Sequence, residues 1–229
     1  ILIILSYFLP QKIVFCSLSS KLNHINKGYK ESSCLVIKNG VSLDIFRPNK
    51  KYRREFRSKL KINDDCLLIG NIARYHPIKD HDNLLKALFL LKSYKVNFKC
   101  ILIGLGLSKD NILLSQKIKS LDLNEEIILY GKSSEIYKIL NAFDLKVLSS
   151  RKEAFPISLL EAMAVEIPCI STNVGDAKEI IGNSGWTINI CDPLSLALKF
   201  KEVSEKRYLL NEKSTLTRKR VKSKFSLEK

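Results

Sequence analysis

The sequence of 229 residues has room for one large domain or two small ones. Hydrophobic residues make up 45% of it and charged residues 27%, a composition that excludes a disordered tail, a collagen-like polymer and a disulfide-rich miniprotein. The formal net charge is +16, and the six cysteines stand singly with no CxxC pair, which argues against a zinc site and favours a reduced, cytoplasmic setting.

The chain begins with an apolar run, ILIILSYFL, that is shorter than the roughly 20 residues a membrane span needs. No charged segment precedes this run, as one would in a secretory signal peptide, so we expect the cut end of a longer protein. Within residues 10–35 the run KIVFCSLSS predicts a strand, and the stretch up to Lys27-Gly28-Tyr29 predicts a helix. Further on, Asn39-Gly40 is typical of a turn and Pro48 of a stop.

From about residue 66 the sequence alternates between short apolar runs and segments of helical period. The apolar runs, which we interpret as buried strands, are CLLIGNIA, FKCILIG, EIILYG, DLKVLSS, PCIST and GWTINI. Strands that alternate with helices through short connections run parallel, so the pattern predicts an α/β fold with a doubly wound parallel sheet. We expect polar residues to cap the helices, namely Asp80 or Asp82, Asp110, Ser133 and Asp176.

The loop after the first of these strands carries two cations, Arg74 and Lys79, just before a helix. Two cations beside the positive end of a helix repel each other unless an anion lies between them, and a diphosphate meets that need. Two solvated surface charges would leave the same pattern, so both interpretations stay open. The loop also holds Asp80-His81-Asp82, which matches a metal-binding DxD, but carboxylates at a helix start are more often caps and we expect no metal.

The loop after the fourth strand carries Glu153, and Glu161 follows eight positions later on the predicted helix. Pro156 suits the first helical turn, so the amides of Ile157 and Ser158 are unpaired donors that can hold an anion. Carboxylates that accept from sugar hydroxyls beside a phosphate-binding helix end would form a nucleotide-sugar site. Alternatively, the two glutamates have no common role: one is an acidic residue near the helix N-terminus that the helix dipole favours, and the other is a surface residue.

The positive charge is concentrated at the two ends of the chain. Residues 1–61 carry 13 basic and 3 acidic residues and residues 199–229 carry 11 and 4, whereas residues 62–198 are balanced at 15 and 16. After Asp192-Pro193 the sequence predicts a helix through LSLALKFKEVSEKRYLL, followed by a basic tail. Two interpretations of these flanks stay open: they bind an anionic lipid surface, or their lysines only keep the protein soluble. They hold few aromatic residues that could stack on bases, so we expect no nucleic-acid partner.

Several of these segments, taken in order, resemble the C-terminal, donor-binding half of family 4 glycosyltransferases with the GT-B fold. They are NGVSLDIF, IARYHPIKD, ILIGLG, LYGKSSEI, DLKVLSSRKEAFPISLLEAMA and PCISTNVGDAKEII, within about residues 35–195. The resemblance is closest to bacterial enzymes that build lipopolysaccharide, capsule or exopolysaccharide. It implies a Rossmann-like domain and retaining transfer from a UDP- or GDP-sugar to a glycan or lipid-linked acceptor. It also implies that no metal or other cofactor takes part, and that the protein is cytoplasmic or peripheral on the inner face of the plasma membrane.

The resemblance further implies roles for individual residues. Arg74 and Lys79 would stabilise the departing diphosphate and Glu153 would hold hydroxyls of the donor sugar, and these three form the implied catalytic set. The departing phosphate would itself take the proton of the acceptor, so no side-chain base is required. The implied donor-binding residues are Glu161 for the ribose, the amides of Ile157 and Ser158 for phosphate, Phe155, and the loop at Gly131-Lys132 for the base.

The sequence departs from the family pattern at two places. Ala154 stands where the family usually has Gly, which would narrow the sugar pocket, and Glu166-Ile167 stands where a Gly-x pair commonly precedes proline. We divide the chain into a remnant of the N-terminal acceptor-side domain (1–35), a donor-binding domain (36–198), and a basic C-terminal helix and tail (199–229). Because the acceptor domain would be largely missing, we expect the chain to bind a nucleotide sugar but to transfer poorly or not at all.

Other functions remain open. A nucleotide-sugar epimerase of the same fold would share the diphosphate site but would need acid and base residues that the sequence does not reveal. A non-catalytic remnant would keep the fold and the nucleotide-sugar site without transfer. An NAD-dependent dehydrogenase has little support, because Gly104-Leu105-Gly106 lacks a third glycine at the Rossmann spacing and the acidic pair Glu125-Glu126 precedes a strand.

Overall fold

The structure is a computed structural model that describes residues 1–227. Its N-terminal segment contains a small two-stranded parallel sheet. The elements of this segment are α1 (Leu2–Leu5), β1 (Ile13–Phe15), α2 (Leu18–Asn26) and β2 (Cys34–Val36). The strand and helix predicted within residues 10–35 are thus confirmed. Several apolar side chains of the segment, among them Leu2, Val14 and Leu35, are exposed to solvent.

The helix α3 (Lys50–Lys59) follows, and the sequence-based prediction lacks it because charged residues dominate its sequence. Asn49 caps this helix by accepting from two amides of its first turn. Two of its arginines attach it to the rest of the molecule, since Arg53 and Arg57 both form ion pairs with Asp144. Part of the positive charge of the N-terminal flank therefore serves internal contacts.

A six-stranded parallel sheet forms the centre of the molecule. Its strands are β3 (Leu67–Ile72), β4 (Phe98–Ile103), β5 (Ile127–Gly131), β6 (Leu145–Leu148), β7 (Cys169–Thr172) and β8 (Gly185–Ile188). They lie in the order β5-β4-β3-β6-β7-β8, and every neighbouring pair is parallel. This confirms the predicted doubly wound sheet, in which the order reverses between the adjacent strands β3 and β6.

Helices cover both faces of this sheet. They are α4 (His81–Ser93), α5 (Ile112–Ser120), α6 (Ile136–Ile139), α7 (Ile157–Ala164), α8 (Ala177–Ile181), α9 (Pro193–Glu205) and α10 (Tyr208–Lys224), with 3₁₀ turns at Glu31–Ser33, Pro77–Lys79 and Leu140–Ala142. One apolar core, which includes Leu159 and Val221, joins the sheet to α7 and α10. The other, which includes Leu88 and Phe200, joins it to α4 and α9. None of the helices within residues 1–227 has the length and apolar character that crossing a membrane requires.

The C-terminal region forms two helices, which corrects the prediction of a single helix followed by a tail. Lys206 ends α9 with φ −115° and ψ 65°, and the basic residues expected in the tail continue as α10. This helix is held in place because Val221 is fully buried and Arg220 donates to the carbonyl of Ile180. The predicted boundary at residue 198 falls inside α9, and the division of the chain into three parts stays a prediction.

The helix caps agree with the predictions in part. Asp80 caps α4, as expected, by accepting from the amide of the third helical residue. Asn111 caps α5 in place of Asp110, because it lies directly before the first helical residue. The short helix α6 has no side-chain cap, so Ser133 does not start it. Asp176 precedes α8 without capping it and binds a different helix, as described below.

Candidate functional site

The loops that follow β3 and β6 meet at the carboxyl edge of the sheet, where the strand order reverses. This is the place where open α/β sheets bind their ligands. A cavity of about 450 Å³ opens there. Its lining includes the predicted residues Arg74, Lys79 and Glu153, together with Ser19, Ser20 and Asn23 of α2, and Gly175 from the loop after β7. The structure thus brings together the three residues that the sequence predicts as a catalytic set.

Lys79 and Glu153 form an ion pair across this cavity. The Lys79 Nζ lies 2.5 Å from the Glu153 Oε1, and both side chains are mostly buried. The Ser150 hydroxyl donates to the same carboxylate oxygen at 2.6 Å. The second oxygen of Glu153 has no partner among the described residues, so it can accept from a ligand hydroxyl.

Two serines at the end of β6 position this ion pair, and the sequence-based prediction missed both. Ser149 donates to the backbone carbonyl of Lys79 at 3.0 Å, while Ser150 holds Glu153. Thr172, at the end of β7, donates in turn to the carbonyl of Ser150 at 2.6 Å. Both serines are nearly inaccessible to solvent. The cation and the carboxylate are therefore held in place by neighbouring strands rather than by flexible loops alone.

Arg74 reaches the same cavity from the beginning of the β3–α4 loop. Its side chain is exposed and forms no ion pair within residues 1–227. The pair predicted as a diphosphate clamp therefore consists of one cation already engaged with a carboxylate and one that is free to bind an anion.

The amino end of α7 presents backbone donors, because Pro156 is its N-cap and lacks a capping group. Pro156 lies just outside the helix, one position earlier than predicted, and the amides of Ile157 and Ser158 have no acceptor among the described residues. The side chain of Phe155 is buried against Phe225, with ring centroids 6.0 Å apart, and does not line the cavity, so its donor-binding role stays a prediction.

The amino end of α7, the helix that carries Glu161, and the loop after β5 lie on the same edge, but neither Glu161 nor Gly131-Lys132 lines this cavity. Glu161 is half-buried in α7, where burial raises the pKa of its carboxyl and the buried ammonium of Lys146 opposes that shift. Gly131 accepts from the amide of Gly104 at 2.9 Å, which joins the ends of β4 and β5. Lys132 follows as an exposed side chain. The ribose and base roles of these residues stay predictions.

The DxD-like triplet is divided among different partners. Asp80 caps α4 and pairs with Arg151, whose Nε lies 2.7 Å from the Asp80 Oδ2. Asp82 pairs with Lys117 at 2.6 Å. Between them His81 is buried, and burial lowers the pKa of its imidazole to about 4. Within residues 1–227 no group of three His, Cys, Asp or Glu side chains is arranged to hold a metal ion.

Asp176 connects the N-terminal segment to the site. Its carboxylate accepts from the amides of Leu18 at 2.8 Å and Ser19 at 3.0 Å, at the start of α2. The preceding Gly175 has φ +52°, and a Cβ there would collide with the carbonyls of Glu153 and Ala154. The loop after β7 thus packs directly on the Glu153 loop and holds α2 as the opposite wall of the cavity.

Comparison with known proteins gives a family and a fold. A sequence model described as "Glycosyl transferases group 1" matches residues 52–222. EpsF of Bacillus subtilis is 32% identical over 162 residues, which are 70% of this chain and 42% of EpsF. The capsular polysaccharide biosynthesis glycosyltransferase CapM of Staphylococcus aureus is 25% identical over 228 residues, which are 98% of this chain and 57% of CapM.

Among solved structures, HepE of Anabaena in complex with UDP and glucose has a TM-score of 0.89 and 21% identity. The likeness covers 98% of this chain and 61% of HepE. It confirms the predicted Rossmann-like fold of a GT-B glycosyltransferase. The chain spans about half the length of the curated relatives it matches.

Proposed function

The chain belongs to the glycosyl transferases group 1 family, and from that premise we propose that it binds the donor of a retaining glycosyltransferase. The donor is a UDP- or GDP-sugar, and the acceptor is a glycan or a lipid-linked glycan in the synthesis of a cell-surface polysaccharide. One observation carries this proposal: the Lys79–Glu153 ion pair and Arg74 share a cavity where the strand order reverses. CapM bears a name from capsule synthesis and HepE has been solved with UDP and glucose, and both agree with this choice of donor and product.

The ion pair suggests how a nucleotide sugar is received. A diphosphate that enters the cavity competes with Glu153 for the ammonium of Lys79 and also meets the free guanidinium of Arg74. As Lys79 turns to the phosphate oxygens, Glu153 keeps its hydrogen bond from Ser150 and becomes available to hydroxyls of the sugar. One ligand with an anionic part and a hydroxyl-bearing part therefore satisfies both members of the pair.

The same groups would support the transfer step. The bond between the sugar anomeric carbon and the diphosphate oxygen breaks, and a bond from that carbon to the acceptor oxygen forms on the same face. The negative charge that develops on the diphosphate is met by Arg74, Lys79 and the amides of Ile157 and Ser158. A phosphate oxygen takes the proton of the acceptor hydroxyl. These charged groups supply the electrostatic stabilisation, so we propose that neither a metal nor another cofactor takes part.

Further donor contacts are proposed for the edge of the sheet beyond the cavity. Glu161 would accept from the ribose hydroxyls, and the loop at Gly131-Lys132 would line the base. Their support is the position of α7 and of the end of β5 on the edge that carries the cavity. We further propose that the protein works at the cytoplasmic face of the plasma membrane, with its basic flanks against anionic lipid.

Calorimetric titration of the chain with UDP, GDP and NAD tests this proposal. We expect UDP or GDP to bind and NAD to give no heat beyond dilution. Binding of NAD without any response to UDP or GDP would overturn the proposal. The family match gives the epimerase alternative no support, and nucleotide binding without transfer to any acceptor would favour the non-catalytic remnant.

A further inference from the structure

A fully buried lysine lies directly behind the candidate site. Lys146 is the second residue of β6, and none of its surface is accessible to solvent. In the sheet it lies between Gly70 of β3 and Cys169 of β7. The strand continues from it to the serines that position Lys79 and Glu153. It is therefore part of the same strand end as the site.

The ammonium of Lys146 has no ion-pair partner in the part of the chain that the structure describes. It donates one hydrogen bond there, to the backbone carbonyl of Val147 at 2.7 Å. The amide of Asn71 donates to that same carbonyl at 3.2 Å, while its own buried Oδ1 has no partner. A buried ammonium without a counterion costs folding free energy, and an apolar side chain of similar volume is usually as stable or more stable. Folding alone thus gives no reason for a lysine at this position.

The carboxylates that act on this ammonium are those of the proposed donor site. The charged and titratable groups that interact electrostatically with it are Glu161 on α7, Glu153 before α7, Cys169 on β7 and Lys79 after β3, together with Cys100 on β4 and His81 on α4. Burial lowers the pKa of Lys146 to about 8, and Cys169, Glu161 and Glu153 oppose that shift. Conversely, burial raises the pKa of Glu161, and Lys146 opposes that shift.

We propose that Lys146 is a positioning residue for the donor site: its buried positive charge, on the strand whose end holds Lys79 and Glu153, stabilises the carboxylate form of Glu161 and adds to the field that attracts the diphosphate. This rests on the proposed function, because the ligand is the nucleotide of that site. Lys146 touches no ligand and acts at a distance, on the carboxylate of Glu161 and on the charge of the diphosphate.

A pH dependence follows from this role. The ammonium is charged below about pH 8, which is where its pKa lies, and it loses the charge as the pH rises through that value. If a bound diphosphate raises this pKa by half a unit to one unit, the affinity for nucleotide falls by roughly three- to tenfold across the transition. The loss occurs on the alkaline side, because the charged form favours the anion.

Titration calorimetry with UDP or GDP, whichever binds, at pH values between about 7.5 and 8.7 tests the proposal, since in this range the diphosphate is already ionised and the base is still neutral. We expect wild-type affinity to fall as the pH passes about 8. We expect Lys146→Met to bind several-fold more weakly at the lower pH, with no such fall, and to unfold at the same temperature or higher. Lys99→Met, which removes a strand lysine at the far end of β4, should leave the affinity and its pH profile unchanged.

NMR titration of ¹³C-labelled glutamate in the ligand-free chain gives a second readout, with Glu161→Gln to assign the signal. We expect the Glu161 carboxyl to titrate at a higher pH in Lys146→Met than in the wild type. Unchanged titration of Glu161, or wild-type affinity without a fall near pH 8, overturns the proposal, and the second result needs no variant. If neither UDP nor GDP binds the wild type, the proposed function fails, and the NMR titration still decides the effect of Lys146 on Glu161.

Discussion

Lys79 shows why a cation in a loop can be more than a surface charge. It is paired with Glu153, so a ligand gains from it only by displacing or sharing that carboxylate. Such an exchange suits a ligand that carries both an anion and hydroxyls. A plain phosphate would take the ammonium and leave Glu153 uncompensated, whereas a nucleotide sugar offers a hydroxyl to the carboxylate as well.

Replacing this lysine tests the exchange. In Lys79→Ala the diphosphate loses a charged hydrogen bond and faces the unpaired carboxylate of Glu153, so we expect UDP or GDP to bind more weakly by about 1.5–3 kcal/mol. Calorimetric titration measures the loss. Lys86→Ala removes an exposed lysine of α4 outside the cavity and should bind normally. Equal affinities for the two variants would mean that Lys79 is only a surface charge.

At the residue scale the sequence was sufficient to find Arg74, Lys79 and Glu153, because each occupies a strand-to-helix loop whose position follows from the alternation of elements. It was not sufficient for Ser149, Ser150 or Asp176. Short polar residues are common at strand ends and helix starts, so their partners depend on which loops pack together. The burial of Lys146 could not be predicted either. A single lysine in an apolar strand can have its ammonium buried or can extend it to solvent, and the sequence is the same in both cases.

At the scale of elements, the six strands were predictable because each lies in a short, largely apolar run, as strands covered on both faces do. The helix α3 was not, since its contacts are made by arginines rather than by an apolar stripe. The helix α10 looks like a solvated tail for a similar reason. Its buried residues, such as Val221, are few, and Arg220 attaches it through a backbone carbonyl.

The attachment of α2 to the loops of the candidate site is an element-scale contact that can be broken by one substitution. In Asp176→Ala the amides of Leu18 and Ser19 lose their acceptor, so we expect a loss of about 1–2 kcal/mol in the free energy that holds α2 in place. Hydrogen exchange of the α2 amides should speed up accordingly. Lys178→Ala, an exposed change on the neighbouring α8, serves as the control. Exchange in α2 that matches the control would show that this carboxylate does not hold the helix.

At the scale of the molecule, the two basic flanks meet although they are distant in sequence. Lys50 and Arg53 of α3 line one surface depression together with Arg207, the N-cap of α10, and Asn211 of that helix. Some of the arginines there are engaged, since Arg53 and Arg207 both pair with Asp144. The exposed lysines are the charges that remain available to bind an anionic membrane. An experiment can therefore distinguish membrane binding from solubility as the reason for the net positive charge.

Vesicle co-sedimentation distinguishes membrane binding by the basic flanks from a role in solubility alone. Lys219, Lys222 and Lys224 of α10 are exposed and form no ion pair within residues 1–227. If they face anionic lipid, the chain should pellet with vesicles that contain phosphatidylglycerol and not with neutral ones. Replacing the three lysines by alanine should then weaken binding by up to about 3 kcal/mol, at about 1 kcal/mol for each lysine near the surface, and added salt should have a similar effect. A matched triple change in the neutral centre, at Lys86, Lys109 and Lys119, should leave binding unchanged. Pelleting that ignores lipid charge, or equal losses for the two triple variants, would leave solubility as the explanation of the basic flanks.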